Sequence, residues 1–148
     1  MSIRVNLQYT KALDLELIEK GIEVWIRRLT AQVRFKTKDG WTRSYEAIVD
    51  TGAPVSIIPS AVSEEISKNV LGDYAISGIV PHEEVVLPVK VAEVKCVLLD
   101  EKRISRTLKI KAYLSTDHRV PLVLGFENLL SKAILYSDYK GNKSFIEI

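Results

Sequence analysis

The sequence has a single cysteine and only two histidines in 148 residues. One cysteine excludes an internal disulfide framework and any metal site built from several thiolates. Cys96 stands in an apolar, strand-like run, where a thiol packs as a small apolar side chain more often than it acts as a nucleophile. His82 and His118 fall in polar segments typical of surface loops. The sequence therefore predicts no metal site and no cofactor.

Long apolar runs and a dominant sign of charge are also absent. Lys and Arg number 21 against 19 for Asp and Glu, which gives a net charge of +2, and the two signs are interspersed. Such a balance argues against a nucleic-acid partner. No apolar run approaches the roughly 20 residues that span a bilayer, and the first residues do not have the pattern of a secretory signal. We expect no membrane partner and a cytoplasmic protein.

The pattern of the chain favours one mainly β domain. Apolar residues make up 47% of the sequence and charged residues 27%, which is typical of a globular domain. Alternating or short apolar runs, and the Asp39-Gly40 hairpin signal, predict strands over 3–9, 22–37, 41–49, 55–58, 89–99, 104–114, 122–125 and 145–148. Residues 11–20 fit either a strand or a helix that Gly21 would end, and the helix is favoured.

Two further helices are predicted from apolar residues at helical spacing. The first covers residues 60–72, with Ser60 as its cap, Val62, Ile66 and Val70 on one face, and Gly72 at its end. The second covers residues 126–135, in which Leu129, Leu130, Ala133 and Ile134 would pack on one side.

One acidic turn is flanked by apolar residues on both sides. Residues 47–49 and 55–58 are mostly β-branched or small and predict two buried strands, and Asp50, Thr51 and Gly52 link them. An ionised carboxylate between apolar strands carries a desolvation penalty unless a partner shares its charge or its proton. Taken alone, however, Asp-x-Gly is also common turn chemistry, so both interpretations stay open for the bare triplet.

The residues around this turn resemble a known family. Residues 47–59 resemble the active-site strand of the retropepsin-like (retroviral-type) aspartic proteases, whose signature is an apolar pair, Asp-Thr-Gly-Ala and an apolar stretch. Residues 120–130 resemble that family's apolar-apolar-Gly motif and the C-terminal helix that follows it. Between them, residues 75–79 stand where the family has its glycine-containing flap. The three signals occur in the family's order, which makes them far more specific together than any one alone.

The resemblance implies a fold, an activity and a set of site residues. It implies a closed, barrel-like acid-protease fold with one lobe per chain over residues 22–148, preceded by an extension, residues 1–21, of unknown role. It implies an aspartic endopeptidase that cleaves a polypeptide substrate with Asp50 as its catalytic residue. The implied supporting residues are Thr51, Gly52, Ala53, Leu124 and Gly125, and the implied flap residues that bind substrate are Ile76, Ser77, Gly78 and Ile79.

Carboxylate-catalysed peptide hydrolysis needs two facing carboxylates that share one proton over one water. The chain carries only one Asp-Thr-Gly. A two-fold homodimer would place Asp50 of each copy at the axis, and a residue near such an axis meets its own copy. We therefore expect an active site that exists only in the homodimer.

Two departures from the family motivate an alternative. Retroviral enzymes have an Arg after the motif glycine, paired with an Asp in the loop after Asp-Thr-Gly, and this chain has Phe126 and Pro54 at those places. Its flap contains a single glycine, Gly78. The alternative is a non-catalytic dimerisation or peptide-binding module of the same fold. A third interpretation is a β domain in which Asp50 is only a turn residue.

Overall fold

The computed structural model describes residues 1–77 and 86–148, and these form two sheets with two short helices. The mainly β class expected from the alternation is confirmed. In chain order the strands are β1 (Arg4–Asn6), β2 (Gln8–Leu13), β3 (Trp25–Phe35), β4 (Tyr45–Val49), β5 (Ser56–Ile58), β6 (Asn69–Ser77), β7 (Val86–Leu99), β8 (Leu108–Ser115), β9 (Val123–Leu124), β10 (Ile134–Asp138) and β11 (Lys143–Glu147). The helices are α1 (Leu15–Glu19) and α2 (Ser60–Ser63), and a 3-10 turn covers Leu130–Lys132. None of the helices in the described residues is long and apolar enough to cross a bilayer.

The larger sheet has eight strands in the order β2, β3, β4, β9, β5, β8, β7, β6. β3 is long enough to pair with β2 along its first half, and with both β4 and β7 along its second half. The β3–β7 pairing joins β3, β4, β9, β5, β8 and β7 into a ring. Alternate side chains of these strands point inward, as strand geometry requires, and the fully buried ones include Val33, Phe35, Ile58, Leu98 and Ile110.

The smaller sheet joins the two ends of the chain. Its strand order is β1, β11, β10, all antiparallel, with Val5 opposite Ile146 at its centre. Both of these side chains are fully buried against the ring. The predicted first strand over residues 3–9 is therefore divided at Leu7, since β1 pairs in this sheet and β2 in the larger one.

Residues 1–21 are tied to both sheets by strand pairing. β2 pairs with residues 25–30, so the expected division after residue 21 falls inside a hairpin. The sequence left a strand and a helix open for residues 11–20, and the structure contains both, because β2 ends at Leu13 and α1 begins at Leu15. The Asp14 side chain starts α1 by accepting hydrogen bonds from the N–H groups of Glu16 and Leu17. Gly21, with φ of 77°, follows the last turn of that helix as expected.

The helix expected over residues 60–72 is wrong beyond its first turn. α2 ends at Ser63, and residues 69–77 form β6, which pairs with β7 through eight register positions. Val62 and Ile66 are buried as the apolar spacing suggested, but Val70 is half exposed and Gly72 borders a β-bulge instead of ending a helix. The long antiparallel pairing with β7 outweighs a weak local preference for helix.

The helix expected over residues 126–135 is also wrong. Asn128 has a positive φ of 53°, and Leu129 has φ of −123° and ψ of −82°, so neither continues a helix. The chain makes tight turns and the single 3-10 turn, and then Ile134 begins β10, which pairs with β11. Leu129 and Leu130 are buried, whereas Ile134 is 63% exposed at the edge of the smaller sheet.

Candidate active site

Asp50 lies where β4 ends, beside β9. β9 pairs in parallel with β4, placing Val123 opposite Ile48, and antiparallel with β5, placing the same Val123 opposite Ile57. The Asp50 N–H continues the ladder by donating to the Leu124 carbonyl at 3.0 Å. The strands predicted before and after the acidic turn are therefore confirmed, and the apolar-apolar-Gly motif lies between them.

The loop after β4 orients the Asp50 carboxylate. Its Oδ1 accepts a hydrogen bond from the Gly52 N–H at 2.8 Å, and the Ala53 N–H donates to the Asp50 carbonyl at 3.2 Å. A Cβ at Gly52 would lie 3.1 Å from Oδ1, so a side chain there would crowd the carboxylate. Glycine at this position keeps the N–H close to the acid without obstruction.

Gly125 connects the second motif to the Asp50 loop at very close range. A Cβ at Gly125 would lie 2.6 Å from the Ala53 carbonyl oxygen and under 3 Å from the Val55 backbone. The buried Gly125 N–H donates to Ser56 Oγ at 3.0 Å. The next two N–H groups, of Phe126 and Glu127, donate to the carbonyls of Ala53 and Pro54, each at 3.0 Å.

These backbone hydrogen bonds hold the two motif loops together where the retroviral Arg–Asp pair is missing. Phe126 is 40% exposed and Pro54 is exposed, so neither position buries an unpaired charge. Ser56, fully buried, is a residue that sequence reasoning missed. The signal was a lone hydroxyl in an apolar strand, which needs a hydrogen-bond partner when buried.

Burial divides the residues of the predicted site into two groups. Ala53, Leu124 and Gly125 are buried, whereas Asp50, Thr51 and Gly52 are exposed in the single chain. In the single chain Asp50 therefore does not incur the desolvation penalty that its apolar neighbours in the sequence suggested. The reason is that the loop lies past the ends of its strands, at the surface of the ring.

Asp50 opens into a cavity of about 520 Å³. We call residues 50–57 with 123–127 the floor, and residues 74–77 of β6 the roof. Ile76 and Ser77, two of the four implied flap residues, line the same cavity as Asp50, whereas Gly78 and Ile79 lie outside the described residues. Among the described lining residues, Asp50 is the only carboxylate.

Two tyrosines that the sequence analysis did not single out line one side of the cavity. The rings of Tyr74 and Tyr113 stack with centroids 5.5 Å apart and an angle of 27° between their planes. Burial, with a smaller contribution from Tyr74, raises the pKa of the Tyr113 hydroxyl. The Tyr113 phenol is therefore neutral near pH 7. Both side chains offer aromatic surface and hydroxyl groups to a bound molecule.

A second, smaller cavity of about 240 Å³ reaches Asp50 and Thr51 from another direction. Its other walls come from the β2–β3 hairpin, through Tyr9, Arg27 and Arg28, and from Leu135 and Tyr139 near the C-terminus. The Thr51 side chain forms no hydrogen bond with any residue that the structure describes. Asp50 and Thr51 thus separate two open faces of the molecule.

Other reactive side chains lie away from Asp50. Cys96 is fully buried, and this burial raises the pKa of its thiol to about 12, in agreement with the packing role predicted for it. Hydrogen bonds from Arg119 lower the pKa of Asp117 to about 2. His118 is exposed as predicted, and His82 is outside the described residues. Within residues 1–77 and 86–148, no three His, Cys, Asp or Glu side chains cluster as metal ligands.

Comparison with known proteins assigns no family. No family model matches the chain, and no curated protein gives a significant match. The resemblance to retropepsin-like proteases therefore depends on its motifs, two of which the structure brings into direct contact around Asp50.

Proposed function

We propose that this chain is an aspartic endopeptidase with a retropepsin-like fold, active as a homodimer. The single observation that carries the proposal is the position of Asp50. Its carboxylate is exposed to a cavity, is oriented by the Gly52 N–H, and stands on a loop that the apolar-apolar-Gly motif supports from behind. The close backbone approach at Gly125 keeps this loop in one position relative to β9.

The homodimer follows from the chemistry. One carboxylate must take a proton from water while another supplies or shares one. Asp50 is the only carboxylate among the described residues that line the cavity, and its Oδ2 forms no hydrogen bond with them. A second copy would bring its own Asp50 across a two-fold axis, with the exposed Thr51 of each chain beside it.

In the proposed mechanism the two Asp50 carboxylates hold one proton and one water between them. The ionised Asp50 takes a proton from the water as it attacks the scissile carbonyl carbon. The protonated Asp50 donates to the carbonyl oxygen, and the resulting tetrahedral intermediate collapses as a proton passes to the leaving amine. Two carboxylates in contact do not both ionise readily, so the pair keeps one proton between them.

An extended peptide is the substrate that the roof favours. β6 is an edge strand, paired only with β7 in the described part of the chain, and residues 74–77 border the cavity. A peptide could therefore add as a further strand to the free backbone groups of β6. The same observation favours the second candidate, a peptide-binding dimer without turnover, because strand addition needs no carboxylate pair.

The test is Asp50→Asn, measured by cleavage of an unfolded polypeptide from acidic to neutral pH. We expect activity to fall roughly a thousandfold, because the amide cannot act as a general base. Thermal stability should change little, since Asp50 is exposed. Asp39→Asn is the matched control, since Asp39 is exposed in a hairpin turn that Asn-Gly also forms.

The result separates the two candidates. Cleavage by the original chain and the Asp39 variant, with loss in the Asp50 variant, supports the protease. Peptide binding without cleavage by any of the three proteins identifies the binding module. Equal cleavage by all three would mean that Asp50 is not catalytic.

A further inference from the structure

Residues 8–29, which we call the arm, comprise β2, α1 and the first five residues of β3. In the described structure β2 pairs only with β3, and residues 25–29 of β3 pair only with β2. α1 has no buried residue, and from residue 8 to residue 28 no side chain of the arm is buried. The arm is therefore held to the ring at its root near Leu29, and its tip has no support from the core.

Large apolar side chains are concentrated at the tip of the arm. Their exposed fractions run from 38% to 72% for Leu15, Ile18, Ile22, Val24 and Trp25. These five side chains lie within eleven residues, and none of them belongs to or packs against a core cluster of the described residues. Exposed apolar surface of this kind marks an interaction site.

The root of the arm lies beside Asp50. Thr30 pairs with Gln8 on one side and with Ile48 on the other. Asp50, two residues after Ile48, therefore lies beside the root of the arm. Arg27 and Arg28 line the smaller cavity together with Asp50 and Thr51. A second Asp50 must approach this exposed loop, so the partner that carries it comes within reach of the arm.

The exposed loop is too small to hold a partner by itself. A stable interface buries about 800 Å² on each side, from 20 to 30 residues, whereas the loop between β4 and β5 has four exposed residues, 50–52 and Pro54. The missing Arg–Asp pair removes one further source of support. The arm is an adjacent element with apolar side chains to contribute.

We infer that the arm binds a second copy of this chain, with its apolar tip seated on the partner subunit. The inference rests on the proposed function in one respect, namely that Asp50 requires a second copy. It assigns a task to residues 8–29, most of which lie in the extension for which the motifs imply none. The arm would act as the clamp that keeps the two Asp50 loops together.

The two tryptophans provide a matched pair of reporters. Trp25 lies in the arm and is 41% exposed. Trp41 is 39% exposed and forms an isolated antiparallel β-bridge with Lys36, just past the other end of β3. Strand geometry separates these ends by roughly 35 Å along the chain. The variant Trp41→Phe leaves Trp25 as the only tryptophan, and Trp25→Phe leaves Trp41. Both keep an aromatic ring at a partly exposed position.

Acrylamide quenching of each variant is measured at protein concentrations where sedimentation shows monomer and where it shows dimer. We expect the quenching constant of Trp25 to fall by about half or more in the dimer, because the partner covers it, and that of Trp41 to stay constant. If a dimer forms and the quenching constant of Trp25 stays as constant as that of Trp41, the arm is outside the interface and the inference is overturned. Protection of Trp25 only after unfolded polypeptide is added would also overturn it, in favour of a substrate-binding arm.

A second comparison uses substitutions of equal exposure. Ile22→Ser with Val24→Ser changes two half-exposed residues of the arm, and Val70→Ser with Leu71→Ser changes two half-exposed residues of β6. We expect the arm double variant to raise the dimer dissociation constant about tenfold or more, with unchanged circular dichroism, and the β6 double variant to leave it unchanged. Equal dissociation constants would contradict the inference.

These readouts are independent of catalysis. If the arm variants dissociate but Asp50→Asn cleaves as well as the original chain, the proposed function fails and the arm remains an interface. If Asp50→Asn is inactive and the arm variants still form full dimers, the protease stands and the arm inference fails. A chain that stays monomeric at every concentration overturns both.

Discussion

The floor and the roof of the main cavity are built in opposite ways. In the floor, Ala53, Ser56, Leu124 and Gly125 are buried, and three strands and several loop hydrogen bonds meet there. In β6, whose residues 74–77 form the roof, eight of nine residues are exposed, and within the described part of the chain the strand pairs only with β7. The floor therefore fixes where the Asp50 carboxylate points, and the roof is available for contacts with a ligand. Changes in the floor should affect stability and activity together, whereas changes in the roof should affect binding alone.

The largest effect is expected from Gly125→Ala in the floor. The new Cβ would meet the Ala53 carbonyl oxygen at 2.6 Å and the Val55 backbone at 2.8 Å, and backbone cannot move aside as a flexible side chain can. We expect a loss of about 3 kcal/mol of unfolding free energy, measured by urea denaturation, and loss of cleavage at every substrate concentration.

Gly72→Ala in β6 is the control for that change. A Cβ at Gly72 would meet nothing within 4 Å. The unfolding free energy of the Gly72→Ala variant should stay within about 0.5 kcal/mol of that of the original chain. A comparable loss in both variants would show that the close approach at Gly125 does not determine stability, and the distinction between floor and β6 would fail.

A smaller effect in the floor is expected from Ser56→Ala. The substitution removes the oxygen that accepts from the buried Gly125 N–H and leaves this donor without a partner. We expect a loss of about 1–3 kcal/mol in unfolding free energy and a lower kcat, because the loop that carries Asp50 rests on this contact. Ser131→Ala, at an exposed position, should change neither quantity.

The smallest effect on stability is expected from Tyr74→Ala in the roof. Tyr74 is 55% exposed and its ring stacks on Tyr113 over the cavity. Loss of the aromatic surface should raise KM several-fold, to about tenfold at most, with kcat and unfolding free energy nearly unchanged. Tyr74→Phe keeps the ring and should restore KM. A fall in stability as large as that of Ser56→Ala would show that the roof is part of the core.

The parts of the structure that the sequence predicts well are those with local signals. The Lys38-Asp39-Gly40 turn between two alternating runs predicted its hairpin, and the Thr37 N–H donates to the Gly40 carbonyl there. The contact between the two site motifs was implied by the resemblance, and the structure brings Gly125 directly against the Asp50 loop.

The parts that the sequence predicted wrongly depend on distant partners. Val62, Ile66 and Val70 have helical spacing, but the pairing of β6 with β7 decides the structure after α2. Ile134 fits a helix face, yet it begins β10 because β11, which starts nine residues further on, pairs with it. Ser56 and Tyr113 belong to the site only because separate strands bring them to it. The lone hydroxyl of Ser56 in an apolar strand signals that it needs a hydrogen-bond partner, but the local sequence of neither residue specifies which residues lie next to it.

Mixing the original chain with Asp50→Asn tests the central claim, a site shared by two Asp50 residues, most directly. The two proteins are equilibrated at a fixed total concentration above the dimer dissociation constant, and initial cleavage rates are measured as their ratio is changed. If each site needs two Asp50 residues, activity follows the square of the original chain's fraction and falls to about a quarter in an equal mixture. Activity in simple proportion to the amount of original chain would contradict the account, because each chain would then act alone.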